Sequence, residues 1–386
     1  MLGNWSLGDY FKEEAIKMSW EFMTSSPENG GLGLDPDRIV VSCFAGDADA
    51  PKDEEAAKTW ESLGFTRAEN ATPGQKKLIY FYGKKQNWWG PAGQTGPCGP
   101  DTEMFYDTKG GEIGKEEHPD DNSGRFVEIW NDVFMQFNKK ADGTYEPLKQ
   151  QNVDTGMGLE RVTAIMQGLS SHYETELFRP VKEKMKELIG SEIPDTPENI
   201  VSSRIILDHL RAATFILGDK MGVTPSNTDQ GYVLRRLIRR AIRHAKKLGI
   251  TQKFIAEIGK IYVEIYGEIY NELNTNAERI RQELDHEENR FLNAITHGEK
   301  EFEKVLKEAQ AKGEKQIPTE AVFNLYDTHG FPVEMTQELA REQGFEVDLK
   351  AFEERFKKHQ ELSRAGAQQK FAGGLADHSD ESKKLH

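Results

Sequence analysis

Residues 125–148 read RFVEIWNDVFMQFNKKADGTYEPL, a long alternating run that turns at Asp142-Gly143 and starts back. Alternation of this kind is the mark of a strand, and Asp-Gly between two such runs favours a tight reversal. The stretch predicts a long antiparallel hairpin. Successive residues of a strand point to opposite faces, so Ile129, Asn131, Val133 and Met135 are expected on one face. Glu128, Trp130 and Phe134 are expected on the other.

Strands and short helices alternate on the N-terminal side of the hairpin. DYFKEEAIKMSWEFMTS reads as a helix with Asp9 near its start, RIVVSCFAG as a strand, and DEEAAKTWESLG as a helix stopped by Gly64. KLIYFY and EMFYD are short strands flanking a glycine-rich loop. From about Gly168 onward the pattern is helical. PENIVSSRIILDHLRAATFILGDK carries one apolar stripe, two long charged helices are expected from Gln252 to roughly Gly313, and Gly330 with Pro332 marks a turn in a last helical unit. The end, from Ser363, is small, polar and charged and reads as a linker. The expected class is α+β in front and all-α behind.

The chain has 386 residues, 30% of them charged, and a mean hydropathy of -0.70. No apolar run approaches the ~20 residues of a membrane span, and the start shows no secretory signal. Two cysteines, Cys43 and Cys98, suit a reducing compartment and offer no disulfide framework, so the location is expected to be cytoplasmic. A net charge of -15 argues against nucleic-acid binding over the whole surface. One basic patch stands out: YVLRRLIRRAIRHAKK, Tyr232 to Lys247, holds Arg235, Arg236, Arg239, Arg240 and Arg243 within three turns. Helical spacing sets these opposite Leu234, Leu237, Ile238, Ala241 and Ile242. A solvated face on a packed helix is the bland interpretation; in an acidic protein, phosphate binding is the sharper one.

Chemistry gathers around VDTGMGLER, Val153 to Arg161. Gly156 and Gly158 stand at a strand-to-helix junction, where backbone can come close to a phosphate. Asp154 ahead of them is an anion suited to a primary ammonium, and Arg161 behind them a guanidinium suited to a phosphate or a base. A lone GxG more often serves geometry only. NWWGPAGQTGPCGP, Asn87 to Pro100, reads as a rigid turn or as the wall of a small pocket closed by Trp89. Asn131 and Glu128 are polar groups in an apolar strand, a pattern more common for satisfied core polars than for ligands.

Taken in order, the blocks MLGNWSLGDYFKEEAI, GPAGQTGPCGP, VEIWNDVFMQFN, VDTGMGLER, PSN…GYVLRRLIRRAIRH and LYDTHGFPVE resemble the alanyl-tRNA synthetase family, within the class II aminoacyl-tRNA synthetases. The resemblance covers nearly the whole chain. It implies an antiparallel-sheet catalytic core over 1–168, a helical region recognising the tRNA acceptor stem over 169–365, and a linker over 366–386. It implies ATP-dependent activation of alanine to alanyl-adenylate and transfer to the 3′ end of tRNA(Ala), with ATP and Mg²⁺ bound. In that reading Arg161, with Gly156 and Gly158, meets ATP, Asp154 holds the alanine ammonium, and Asn131, Val133 and Trp89 shape the alanine pocket. Glu128 is a Mg²⁺ or ATP contact. Asn227 and Asp327 read the G·U pair of the acceptor stem, while Arg235, Arg239, Arg240 and Arg243 position phosphates.

The same resemblance leaves motif 1 and the first half of motif 2, with the core's first strands, outside the 386 residues. It places an editing domain and its zinc beyond His386, so no metal site is expected within the chain itself. Asp101 stands where the family usually has a small or sulfur residue, and Gln230 where an arginine is common. A non-catalytic tRNA-binding fragment or paralogue, one subunit of a split synthetase, and an ATP-dependent ligase with a non-tRNA acceptor are the alternatives.

Overall fold

The computed structural model describes residues 1–121, 123–226 and 228–359, and the chain divides into two compact units, Met1–Arg179 and Pro180–His386. The first unit runs β1 (Trp5–Leu7), α1 (Lys12–Thr24), β2 (Ile39–Phe44), α2 (Glu54–Ser62), β3 (Thr66–Arg67), β4 (Leu78–Tyr82), β5 (Trp88–Trp89), β6 (Gly96–Asp107), β7 (Phe126–Lys139), β8 (Tyr145–Gly156) and α3 (Leu159–Met166). The strands form one sheet in the order β1-β8-β7-β6-β2-β4-β3, with β5 alongside β6. Only the β2–β4 and β3–β4 pairs are parallel. The hairpin is β7 and β8, turning through Asp142-Gly143 as expected, with Gly143 at a positive φ that costs glycine little.

The main core lies on one face of this sheet. Ile39, Val41, Cys43, Met104, Trp130, Phe134 and Val153 pack there with Ile16 and Met23 of α1 and Trp60 of α2. The first helix starts later than Asp9: Phe11 precedes it, and Lys12 is drawn into the core to meet Asp53 at 2.7 Å. That carboxylate also caps α2, accepting from the Ala56 amide at 3.1 Å. Asp132 of β7, fully buried, accepts from Ser19 Oγ and Trp130 Nε1, each at 2.8 Å.

The strict alternation expected of β7 breaks at one residue. Met104 pairs with Trp130, yet Phe105 pairs with Glu128, so Ile129 is an extra residue in the strand. Such a bulge shifts the phase of everything before it. Ile129 and Trp130 both enter the core, and Glu128 joins the face of Asn131. This corrects the expectation that Ile129 shares a face with Asn131 and Glu128 with Trp130.

The second unit is helical: α4 (Arg179–Ile189), α5 (Pro197–Gly218), α6 (Asp229–Lys247), α7 (Ile255–Tyr266), α8 (Asn271–Thr275), α9 (Ala277–Ala311), α10 (Thr319–Asp327) and α11 (Val333–Glu342), then a helical stretch over 349–359. Thr196 caps α5 through the Asn199 amide, with Pro197 in the first turn. The two charged helices expected from Gln252 resolve into an apolar α7, a single-turn α8 and the 35-residue α9. Glu288 of α9 accepts from the amides of Phe254 and Ile255 at the start of α7. Gly330, at φ +65°, makes the turn between α10 and α11. Among the described residues no helix is long and apolar enough to cross a membrane. The expected linker over 366–386 lies outside the described residues.

Candidate active site

On the sheet face opposite the core, register brings the polar residues together. Asp101 lies opposite Val133 and Glu103 opposite Asn131, while on the next strand Val133 lies opposite Asp154 and Asn131 opposite Gly156. Directly opposed residues have Cβ atoms ~4.5–5.5 Å apart, so these side chains form one cluster across β6, β7 and β8. The bulge adds Glu128. From α3, Arg161 reaches back so that Nη1 donates to Glu128 Oε2 at 2.8 Å.

The two glycines of the junction keep ordinary negative φ, so they supply room rather than unusual backbone. A Cβ on Gly158 would sit 3.2 Å from Cδ of Arg161, the stem of which lies across it. A Cβ on Gly156 would sit 3.1 Å from the Met1 sulfur. Gly158 is therefore the residue that lets Arg161 fold over its own helix start.

Burial dominates the electrostatics. Asp101 is 2% exposed, and burial pushes its carboxyl up to about 7 against hydrogen bonds from Asn87 and Asn131. Asn87, itself fully buried, donates from Nδ2 to Asp101 Oδ1 at 3.1 Å and to Ser42 Oγ at 2.8 Å. Glu103 is pushed up to about 9, first by burial and then by the charges of Asp101 and Glu128, with Arg161 opposing. At neutral pH Glu103 thus holds a proton. Asn131 donates from Nδ2 to Glu103 Oε1 at 3.3 Å, and its Oδ1 is buried without a hydrogen-bond partner.

Sequence reasoning did not single out Glu103, and took Asp101 only as a departure. The signal was present in the alternation of DTEMFYD, but only the β6–β7 register shows which strand these carboxyls face. The tandem tryptophans separate: Trp88 packs against Phe44 and Phe137, while Trp89 is 39% exposed opposite Gly99 of β6.

In the second unit the arginines of α6 divide by direction. Arg235 Nε and Arg239 Nε approach Oε1 of the buried Glu287 of α9 at 3.3 and 2.7 Å, and Arg239 also covers the Phe291 ring. Arg243 lies 3.6 Å from Glu334. Arg236 and Arg240 are exposed, Arg240 with Nη1 3.4 Å from His209 Nε2. Asp327 ends α10 beside a shallow cleft with Phe323, Asn324 and Arg355, its Oδ1 3.7 Å from His359 Nδ1. Asn227 lies outside the described residues.

These features can be set beside known proteins. Residues 1–385 match the family described as "tRNA synthetases class II (A)". The "Alanine--tRNA ligase" of Treponema pallidum is 50% identical over 386 residues, covering 100% of this chain and 62% of that protein. The one from Borrelia hermsii is 46% identical over the same span, 63% of its length, and one from a Thermotoga species 44% identical over 369 residues, 95% of this chain and 40% of that protein. The chain thus spans less than two thirds of the length of these relatives. With the family's model matched over residues 1–385, and the polar cluster carried on the antiparallel part of a mixed sheet, the chain belongs to the class II tRNA synthetases.

Proposed function

We propose that this chain carries the amino-acid-activating and tRNA-charging part of an alanine–tRNA ligase, acting in the cytoplasm. The observation that carries the reading is the acceptor pair of Asp154 and Asn131 on either side of Val133, facing the Arg161 end of α3. Asp154 and the Asn131 amide oxygen take the alanine ammonium, and Val133 with Trp89 bounds the space for a methyl group. Arg161 meets the nucleotide, entering over Gly156 and Gly158. The alanine carboxylate attacks the α-phosphate of ATP, pyrophosphate leaves, and the terminal hydroxyl of the tRNA then displaces AMP from the adenylate. No protein nucleophile takes part, so catalysis rests on positioning and charge neutralisation.

Among the described residues no three His, Cys, Asp or Glu side chains gather to hold a metal unaided. Nucleotide-bound Mg²⁺ needs only one or two protein carboxylates, its other ligands being phosphate oxygens and water. Glu128, a hard donor one third exposed at the mouth of the cluster, fits that role. When bound, the ion would neutralise phosphate charge. In the second unit Asn227 and Asp327 read base edges of the acceptor stem, and the arginines of α6 position its phosphates, Arg240 directly, Arg235 and Arg239 from their shared pairing with Glu287, and Arg243 from beside Glu334.

Alanine-dependent exchange of pyrophosphate into ATP tests the proposal. The chain is expected to support exchange with alanine, and Asp154→Ala to abolish it. Exchange that ignores alanine, or survives unchanged in Asp154→Ala, overturns the reading. Tight tRNA binding with no exchange would favour a non-catalytic RNA-binding chain.

A further inference from the structure

Asn131 presents a problem of orientation. Its amide oxygen and nitrogen are nearly the same size, and turning the group over would swap an acceptor for two donors. A substrate ammonium needs the acceptor. We propose that Glu103 and Asp101 are positioning residues that hold the Asn131 amide with its oxygen toward the substrate ammonium; the proposal rests on the alanine-binding reading above.

The geometry supplies both halves of the device. Asn131 Nδ2 donates to Glu103 Oε1 at 3.3 Å and lies close enough to Asp101 to favour its ionised form, so the nitrogen faces the β6 side. Oδ1 is left buried with no partner in the chain. A buried acceptor left unmade is destabilising, and an ammonium donor would recover that cost. Asp101 is in turn fixed by Asn87, buried and bonded also to Ser42 of β2. Asn87 directly precedes the Trp88–Trp89 strand, so the same contact ties the Trp89 wall to the acceptor. Asp101 thereby links Asn87 to the Asn131 side of β6.

The test is equilibrium binding of L-alanine, of alaninol, which keeps the ammonium and lacks the carboxylate, and of ATP, measured by calorimetry on the chain. Glu103→Leu is expected to weaken alanine and alaninol by about tenfold or more, the scale of a hydrogen bond to a charged group, and to leave ATP within about twofold. Glu103→Gln keeps an acceptor oxygen and should recover most of the loss. In an Asn131→Ala background, Glu103→Leu should cost nothing further, because the two act through one contact. Equal losses for ATP and alanine, no recovery by Gln, or full additivity overturns the proposal. Should any variant melt well below the parent, Asp101→Asn against Asp101→Ala repeats the comparison on the second contact. If the parent chain binds no alanine, both the proposal and the function fall; if it binds alanine without catalysing exchange, only the activity does.

Discussion

Arg161 Nη1 lies 2.8 Å from Glu128 Oε2, joining the first turn of α3 to the residue just before the β7 bulge. The guanidinium proposed for ATP and the carboxylate proposed for its metal therefore hold each other. Their side chains are 45% and 33% exposed. An ion pair this open contributes only ~0–1 kcal/mol, so it keeps both groups in place and yields readily.

Glu128→Gln should accordingly leave the melting temperature nearly unchanged while raising the Mg²⁺ concentration needed for half-maximal exchange. Thermal unfolding and a Mg²⁺ titration check the two halves separately. A large loss of stability, or an unaltered Mg²⁺ requirement, would remove Glu128 from the role given it.

Gly158→Ala puts a methyl group 3.2 Å from the Arg161 stem. The expected outcome is a weaker apparent affinity for ATP, by about three- to tenfold if the displaced guanidinium costs ~1 kcal/mol, with alanine affinity preserved. Nucleotide binding unaffected by the substitution would show that Arg161 has other routes to its place.

Asp132 makes a pH prediction with a definite sign. Burial pushes its carboxyl up to about 7, against hydrogen bonds from Ser19 and Trp130. A folded-state value above the unfolded one means stability is full at low pH and is lost as pH rises through about 7. Asp132→Asn removes the charge, and an amide can accept from Trp130 while donating to the Ser19 hydroxyl, which also reaches the Ile16 carbonyl. The variant should melt higher than the parent at about pH 8, with the gain shrinking toward about pH 4. A constant difference across that range would mean Asp132 does not titrate there.

The arginines of α6 should separate by assay. Arg239→Gln leaves the buried Glu287 with Arg235 alone and is expected to cost ~1–3 kcal/mol of stability. Arg240→Gln should leave stability within ~0.5 kcal/mol, weaken binding of all tRNAs alike, and lower the salt slope by about one. Denaturant unfolding and salt-dependent tRNA binding distinguish the two. Matching behaviour of the variants would contradict the division.

Local signals carried the fold a long way. The Asp142-Gly143 reversal, the Asp53 start of α2 and the apolar stripe of α6 are decided within one turn or one hairpin, and they appear as read. What escaped depends on partners distant in sequence. Glu103 matters because it faces Asn131 across β6 and β7, a register that alternation alone does not reveal. Arg235 and Arg239 look like a solvated face until Glu287, 48 residues beyond Arg239, is placed beside them. Lys12 was hidden for the same reason: its partner Asp53 comes from another helix start.

The extra residue at Ile129 has an outcome for any change in chain length. Deleting Ile129 alone would leave Trp130 opposite Met104 and Glu128 opposite Phe105, so each keeps its face and the loss is one buried aliphatic side chain. A one-residue gap in the regular ladder beside it, at Asp132, would instead exchange the faces of Asn131 and Trp130. At Ile129 a change is a matter of size and greasiness; in the ladder beside it a one-residue gap is a frameshift in three dimensions. The hairpin can lengthen or shorten at its Asp142-Gly143 tip with little consequence, while the ladder beside the bulge must be counted to the residue.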